Sequence, residues 1–279
     1  MKQLFIILVF SVLTFNCKPV QTIAEKEVNV LFIGNSLTYF HDMPQMVQSM
    51  VLETHPNIKI HQSTYPGMSL SAHLDNIITS QTDNGIHTRK KAENEITETE
   101  KKIKERQWDV VILQTGGVSI LIPESRDLKV NKAIAAIKNL AANPNCKFIL
   151  FNTWASKSEY PKKYCYPSRA IDKSIKKDQS CSPNIENLEQ EIKLINSAYT
   201  ILSEQNNVIK SSNGDKFYET LTKHPSVNLY EDDSHPNEKD SFLNACIFYE
   251  LITNSRASTL KFTGTIEPET AQLIKDIAH

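Results

Sequence analysis

Glycine is scarce in this chain, with 7 among 279 residues, and none falls in a G-x-G-x-x-G or G-x-x-x-x-G-K pattern. A glycine loop that cradles a nucleotide phosphate is therefore not supported. The five cysteines contain no Cys-x-x-Cys pair, which argues against a zinc site built from thiolates. Neither sign of charge is in excess. The 31 Lys+Arg oppose 32 Asp+Glu for a net charge of −1, which leaves no basic footprint for nucleic acid. No apolar run approaches the ~20 residues that a membrane-spanning helix needs. What remains is ordinary globular usage, 40% hydrophobic and 23% charged, in a chain long enough to bury one large core.

The apolar run from Leu4 to Phe15, interrupted by Ser11 and Thr14 and preceded by Lys2, reads as the hydrophobic region of an export signal. Cys17 follows at once in Leu13-Thr14-Phe15-Asn16-Cys17. A Cys closing such a region resembles the cleavage and lipidation site of bacterial lipoproteins, although Phe15 and Asn16 stand where small residues usually do. Thr22-Ile23-Ala24 offers a second cleavage site, which would leave a soluble periplasmic or secreted protein. Either route exports the chain. The expected organisation is a signal over residues 1–17 with a lipidated Cys17, a short linker over 18–27, and one domain over 28–279. The only membrane contact expected is the lipid anchor. Export permits disulfides. Cys165 and Cys181 flank a polar, Lys-rich stretch and are the candidate pair, while Cys146 and Cys246 lie beside apolar runs and read as buried thiols.

Short β-branched runs alternate with helical patterns along the domain. Val28–Ile33, Ile58–His61, Asp109–Leu113, Cys146–Thr153 and the weaker Val208-Ile209 read as strands. Met43–Leu52, Lys129–Ala142, Asn187–Glu204 and Phe242–Ile252 read as helices. This alternation predicts an α/β fold with a parallel sheet of about five strands and helices on both faces. Thr88–Gln107 is highly charged, with Glu98→Lys102 and Glu100→Lys104 at i,i+4, and reads as a solvated helix. Residues 156–186 form a polar, proline-containing insertion of the kind that borders sites in such folds.

Ligands in parallel α/β sheets bind at the carboxyl ends of the strands. Gly34-Asn35-Ser36-Leu37-Thr38 follows the first strand, so Ser36 stands at a strand-to-helix turn where an anion is favoured. Helix capping is the plainer role for a Ser at that point. Asp232-Asp233-Ser234-His235-Pro236 lies near the last strand. A serine nucleophile needs a base, and the base needs an orienting carboxylate. Asp232, three residues before His235, suits that role better than Asp233. His41, His61, His73 and His224 lack partners at metal spacing and read as surface or loop histidines, so no metal or cofactor is expected. Trp154 at a strand end either lines the pocket or belongs to the core. Tyr39 and Phe40, just after the serine, either pack the first helix or touch the acyl group.

On these residues the chain resembles the SGNH/GDSL hydrolases. Gly34-Asn35-Ser36-Leu37-Thr38 is similar to the family's first block, with Asn35 in place of the commoner Asp. Gly67 in Tyr65-Pro66-Gly67-Met68 is similar to the second block, and Asp232-x-x-His235 to the last. Trp108–Gln114 and Asn152-Thr153-Trp154-Ala155 look like a bacterial, exported branch of mostly uncharacterised members. The likeness runs from about Val28 to Ile252. It implies a flavodoxin-like, three-layer α/β/α domain and ester hydrolysis through an acyl-enzyme on Ser36. His235 would be base and then acid, Asp232 the orienter, and the N–H groups of Ser36 and Gly67 the oxyanion hole. The third block departs from the family pattern G-x-N-D. The strand continues as Gln114-Thr115-Gly116-Gly117-Val118-Ser119, without the Asn. Gln114 donating its amide is one expectation for the third oxyanion contact. A backbone N–H at Gly116 or Gly117 is another, and a purely structural Gln114 a third.

The expected substrate is a small acyl ester, an acetyl group on carbohydrate, with the acetyl and sugar parts resting on the resemblance and on export. Relatives of this kind also include lipases, thioesterases and acyltransferases. The alternative is a catalytically weak or inactive surface lipoprotein that binds glycan in the same cleft.

Overall fold

The structure is a computed structural model that describes residues 26–82 and 85–279. The expected signal segment and Cys17 lie outside the described residues. Among the described residues nine strands occur in chain order: β1 Val28–Gly34, β2 Ile58–Thr64, β3 Asn76–Thr82, β4 Gly85–Lys90, β5 Val110–Leu113, β6 Lys147–Leu150, β7 Cys165–Pro167, β8 Gln179–Cys181 and β9 Ile209–Lys210. Five of them form one sheet in the order β2-β1-β5-β6-β9, and every pairing in it is parallel.

The alternation of side chains along β1 explains the layers. Val30 and Phe32 join the core under the Met43–Thr54, Glu238–Thr253 and Pro268–Ala278 helices. Leu31 and Ile33 join the opposite core under the Glu98–Lys104, Asn131–Leu140 and Leu188–Asn206 helices. Successive strand residues point to opposite faces, so a continuous apolar run is what a strand covered on both sides requires. The result is the expected three-layer α/β/α fold. The chain leaves β1 toward β2 on one side and returns to β5 on the other. That reversal opens a crevice between the carboxyl ends of β1 and β5, the place where such sheets bind ligands.

Three expectations need correction. Thr88–Gln107 is not one helix. Residues 85–90 pair antiparallel with 76–82 as a hairpin, and the helix covers only Glu98–Lys104. Thr97 caps that helix and exchanges hydrogen bonds with Glu100, whose carboxylate also takes Lys91 Nζ at 2.7 Å. A capping box fixes where a helix starts, so the chain before Thr97 was free to pair as a strand. Glu98 pairs with Lys101, and Lys102 with Glu105, in place of the i,i+4 pairs read from the sequence. Second, Cys246 is buried, but Cys146 is only half-buried. Third, His73 is a fully buried side chain and not a surface or loop residue.

The insertion at 156–186 contains the antiparallel β7–β8 ribbon, in which Cys165 faces Cys181 and is joined to it by a disulfide. The ribbon is anchored to the Leu188–Asn206 helix through Glu191, a buried carboxylate. Glu191 accepts from the hydroxyls of Tyr160 at 2.7 Å and Tyr164 at 3.0 Å and pairs with Lys162 at 2.6 Å. Among the described residues no helix is long and apolar enough to cross a membrane.

Candidate active site

Ser36 is the first residue of a short helix, Ser36–Tyr39, that begins one residue after β1 ends. Asn35, not Ser36, is the cap: its Oδ1 accepts from Leu37 N–H at 3.1 Å. That leaves the Ser36 hydroxyl free for other work. Asn35 Nδ2 donates to Met68 O at 3.1 Å, which ties the β1 turn to the loop carrying Gly67. An Asp at position 35 has no donor for that carbonyl, which accounts for Asn here.

Ser36 Oγ lies 2.9 Å from His235 Nε2, and His235 Nδ1 lies 2.7 Å from Asp232 Oδ2. A carboxylate only accepts, so Nδ1 carries the proton and Nε2 presents a lone pair to the Ser36 hydroxyl. Asp232 is fixed in turn. Its Oδ1 accepts from the backbone N–H groups of Ser234 and His235, both at 2.7 Å. Those two N–H groups, His235 first, and then the His235 ring hold the Asp232 carboxyl far below the usual carboxylate range. Asp233 takes no part; its backbone oxygen accepts from Lys157 N–H at 2.7 Å. Trp154 is buried, stacks on Phe217, and donates its indole N–H to Ser234 O at 3.1 Å. It also lines the cavity in front of Ser36, so both expectations for it hold. The two stretches that carry Ser36 and His235 are 199 positions apart in the chain and meet here.

The serine opens onto a cavity of about 610 Å³ whose walls include Gly67, Gly116, Gly117, Val118, Tyr164 and Tyr166. Gly67 has φ +66, a conformation that favours glycine, and nothing lies within 4 Å of the place a Cβ would occupy. The neighbouring N–H groups are taken: Leu37 by Asn35 Oδ1, Thr38 by Asn35 O, and Met68 by Tyr65 O. The N–H groups of Ser36 and Gly67 make none of these bonds.

Gln114 does not line this cavity. It is fully buried beneath the turn, where its Oε1 accepts from Asn35 N–H at 2.8 Å and from the Thr38 hydroxyl at 3.1 Å. Its Nε2 is buried without a protein partner. The backbone donor fixes which end of the amide faces the turn, and it is the acceptor end. The expectation that Gln114 offers its amide to a substrate oxygen is corrected accordingly. Gly116, Gly117, Val118 and Ser119 of this block reach the cavity, and the two glycines come first after the strand.

Two supporting residues were not legible as such. His73 donates Nε2–H to Gly34 O at 2.9 Å and accepts at Nδ1 from Thr99 Oγ1 at 2.7 Å. Burial lowers its pKa to about 4, so it is neutral. The signal was present in Leu70-Ser71-Ala72-His73-Leu74, where His73 shares a helical face with two buried leucines. Glu191 was hidden because its partners come from the insertion. The other histidines stand apart from Ser36: His41 pairs with Glu231, His61 packs on Trp108, and His224 ends the Asn213–Lys223 helix. Phe40 lies against the His235 ring and Tyr39 beside Phe40. No group of three His, Cys, Asp or Glu that could hold a metal occurs among the described residues.

No family model and no curated protein matches the chain. Solved structures do. A DUF4886 family protein from Bacteroides uniformis superposes with a TM-score of 0.66 at 15% identity, covering 91% of this chain and 94% of that one. A candidate SGNH hydrolase from Slackia heliotrinireducens has a TM-score of 0.53 at 15% identity, covering 81% of this chain and 100% of that one. A variant of an acetyl xylan esterase from Geobacillus stearothermophilus has a TM-score of 0.50 at 13% identity, covering 81% and 95%. At these identities the likeness is one of fold, and the fold is that of SGNH/GDSL-like hydrolases.

Proposed function

We propose that the protein is a serine ester hydrolase that removes small acyl groups, acetyl above all, from carbohydrate. The observation that carries this reading is the unbroken hydrogen-bonded chain Ser36–His235–Asp232, with links of 2.9 and 2.7 Å, at the mouth of a cavity. In the first step Ser36 Oγ attacks the ester carbonyl while its proton passes to His235 Nε2. Asp232 keeps the other ring nitrogen protonated and favours the imidazolium that forms. The carbonyl oxygen, now negative, is met by the N–H groups of Ser36 and Gly67, with a backbone N–H of Gly116 or Gly117 as the third donor. His235 then returns its proton to the departing alcohol. Water repeats the sequence on the acyl-enzyme, with His235 again as base.

Two features favour a sugar as the alcohol. The cavity wall is rich in hydroxyls, with Ser69, Ser71, Ser119 and Ser156 beside Tyr164 and Tyr166. One structural neighbour is an acetyl xylan esterase. The same reading includes export to the bacterial cell envelope and anchoring through a lipidated Cys17. The test is hydrolysis of p-nitrophenyl acetate and release of acetate from acetylated polysaccharides by the purified protein and by Ser36→Ala. Turnover lost in the variant supports the proposal. A folded wild type with no rate above background on either substrate favours instead the glycan-binding reading, which the third block's departure from G-x-N-D motivates.

A further inference from the structure

Two of the three residues after the Ser36 helix adopt a costly backbone. His41 (φ 51, ψ 31) and Asp42 (φ 53, ψ 38) are consecutive left-handed residues and neither is glycine. L side chains rarely adopt this region, and pairs of such residues are found where the surrounding structure over-determines them. Local capping does not account for it, because Asp42 heads the Met43–Thr54 helix without a side-chain cap bond.

What the conformation achieves is contact with the turn that carries the base. Phe40 lies face to face on the imidazole of His235, with ring centroids 4.2 Å apart and planes within 5°. His41 Nε2 lies 2.5 Å from Glu231 Oε2. Glu231 closes the Asp232–His235 turn, its N–H donating to His235 O at 3.0 Å. The imidazole needs such support on that side, since the His235 side chain is 29% exposed and the Asp232 side chain 54%.

We propose that Phe40 and His41 are positioning residues for the proposed ester hydrolysis. Phe40 fixes the plane of the His235 ring, and His41 holds the turn beneath it through Glu231. The inference rests on the catalytic reading of Ser36 and His235. The aromatic face does more than fill space. When the Ser36 proton reaches Nε2 the ring becomes a cation, and a stacked π face attracts it. The contact therefore strengthens as the reaction proceeds and acts on kcat, not on KM.

The experiment compares wild type, Phe40→Tyr, Phe40→Leu and His41→Gly, with Ser36→Ala as the inactive reference. Phe40→Leu should lower kcat by about tenfold to a hundredfold with KM little changed, while Phe40→Tyr restores the rate. His41→Gly relaxes the left-handed residue, so its thermal midpoint should not fall, yet kcat should drop by roughly tenfold with the pair to Glu231 gone. Leu serving as well as Tyr, or losses that follow the thermal midpoint or KM alone, would overturn the proposal. A second readout is independent of turnover. The proton on His235 Nδ1 should give a sharp low-field NMR signal in wild type and Phe40→Tyr and an exchange-broadened one in Phe40→Leu. An inactive wild type would remove the proposed hydrolysis, but that signal would still decide the positioning: unchanged in Phe40→Leu, it sinks the clamp.

Discussion

His73 holds the end of β1 from a position 39 residues away: its Nε2–H donates to the carbonyl oxygen of Gly34, two residues before Ser36, across 2.9 Å. The same carbonyl accepts from Tyr65 N–H at 3.1 Å, so the β1 turn and the loop bearing Gly67 share one anchor. Burial of the imidazole keeps it neutral, with a pKa lowered to about 4 from 6.5. Between those values the unfolded chain binds the proton and the folded chain does not. Stability from this site is therefore fully present above pH 6.5 and is lost as pH falls from 6.5 toward 4, by roughly 3 kcal/mol in all. Urea midpoints measured from pH 7.5 to 4.5 should fall more steeply for wild type than for His73→Gln. Parallel curves would contradict this account.

Gly34 leaves no room for a side chain. A Cβ there would sit 2.4 Å from Thr38 Oγ1 and 2.6 Å from Gln114 Oε1, which accepts from both the Thr38 hydroxyl and Asn35 N–H. Gly34→Ala should push Gln114 off Asn35 N–H and displace Ser36, costing at least about tenfold in kcat. Retention of wild-type rates in a folded Gly34→Ala protein would show that the network tolerates the shift.

Much of this was legible before the coordinates and some was not, for physical reasons. Most residues of β1, β5 and β6 are buried and these strands read as apolar runs, so they stood out, whereas β2 and β9 are only partly buried. Ser36, Asp232 and His235 were marked by turn position and by a three-residue spacing that makes a short loop. The β3–β4 hairpin was missed because a charged segment with favourable i,i+4 spacing satisfies the helix pattern equally well, and only the Thr97–Glu100 capping box decides where the helix begins. The side of the amide that Gln114 turns to the backbone was not readable at all. It depends on Asn35 N–H, contributed by a segment 79 residues distant.

Gln114→Met keeps the volume of the side chain and removes its acceptor. Asn35 N–H and the Thr38 hydroxyl are then buried without a partner, which should cost about 1–3 kcal/mol of stability. An oxyanion donor would instead show itself in kcat, with a loss on the order of 10²–10³. The expected result is a clear drop in the denaturation midpoint with a kcat loss below that range. A loss of 10² or more at unchanged stability would return Gln114 to the reacting oxygen.

Asp232→Asn tests the orientation of the base. An Asn at this position still accepts the Ser234 and His235 backbone N–H groups through its oxygen, so the turn should survive. Its amide would donate toward Nδ1 and drive the ring proton to Nε2, where it blocks acceptance from Ser36. The comparable change in a serine protease lowers kcat by about 10⁴. A loss on that scale with an unaltered thermal midpoint is expected here, and a mild effect would remove Asp232 from the mechanism.

The disulfide between Cys165 and Cys181 closes a loop with a sequence separation of 16, and the segment beside it contributes Tyr164 and Tyr166 to the cavity wall. Closing a loop of this size is worth about 3 kcal/mol through the unfolded state. Replacing both cysteines with serine should therefore lower the melting temperature. Ser36, His235 and Asp232 come from other segments, so p-nitrophenyl acetate, which has no sugar to meet the tyrosines, should be hydrolysed with little change if the proposed function holds. An acetylated oligosaccharide has to lie along that wall, and its KM should rise severalfold in the same variant. Equal effects on both substrates would mean that the ribbon supports the fold without touching the alcohol, and the hydroxyl-rich wall would then lose its place in the argument for a sugar.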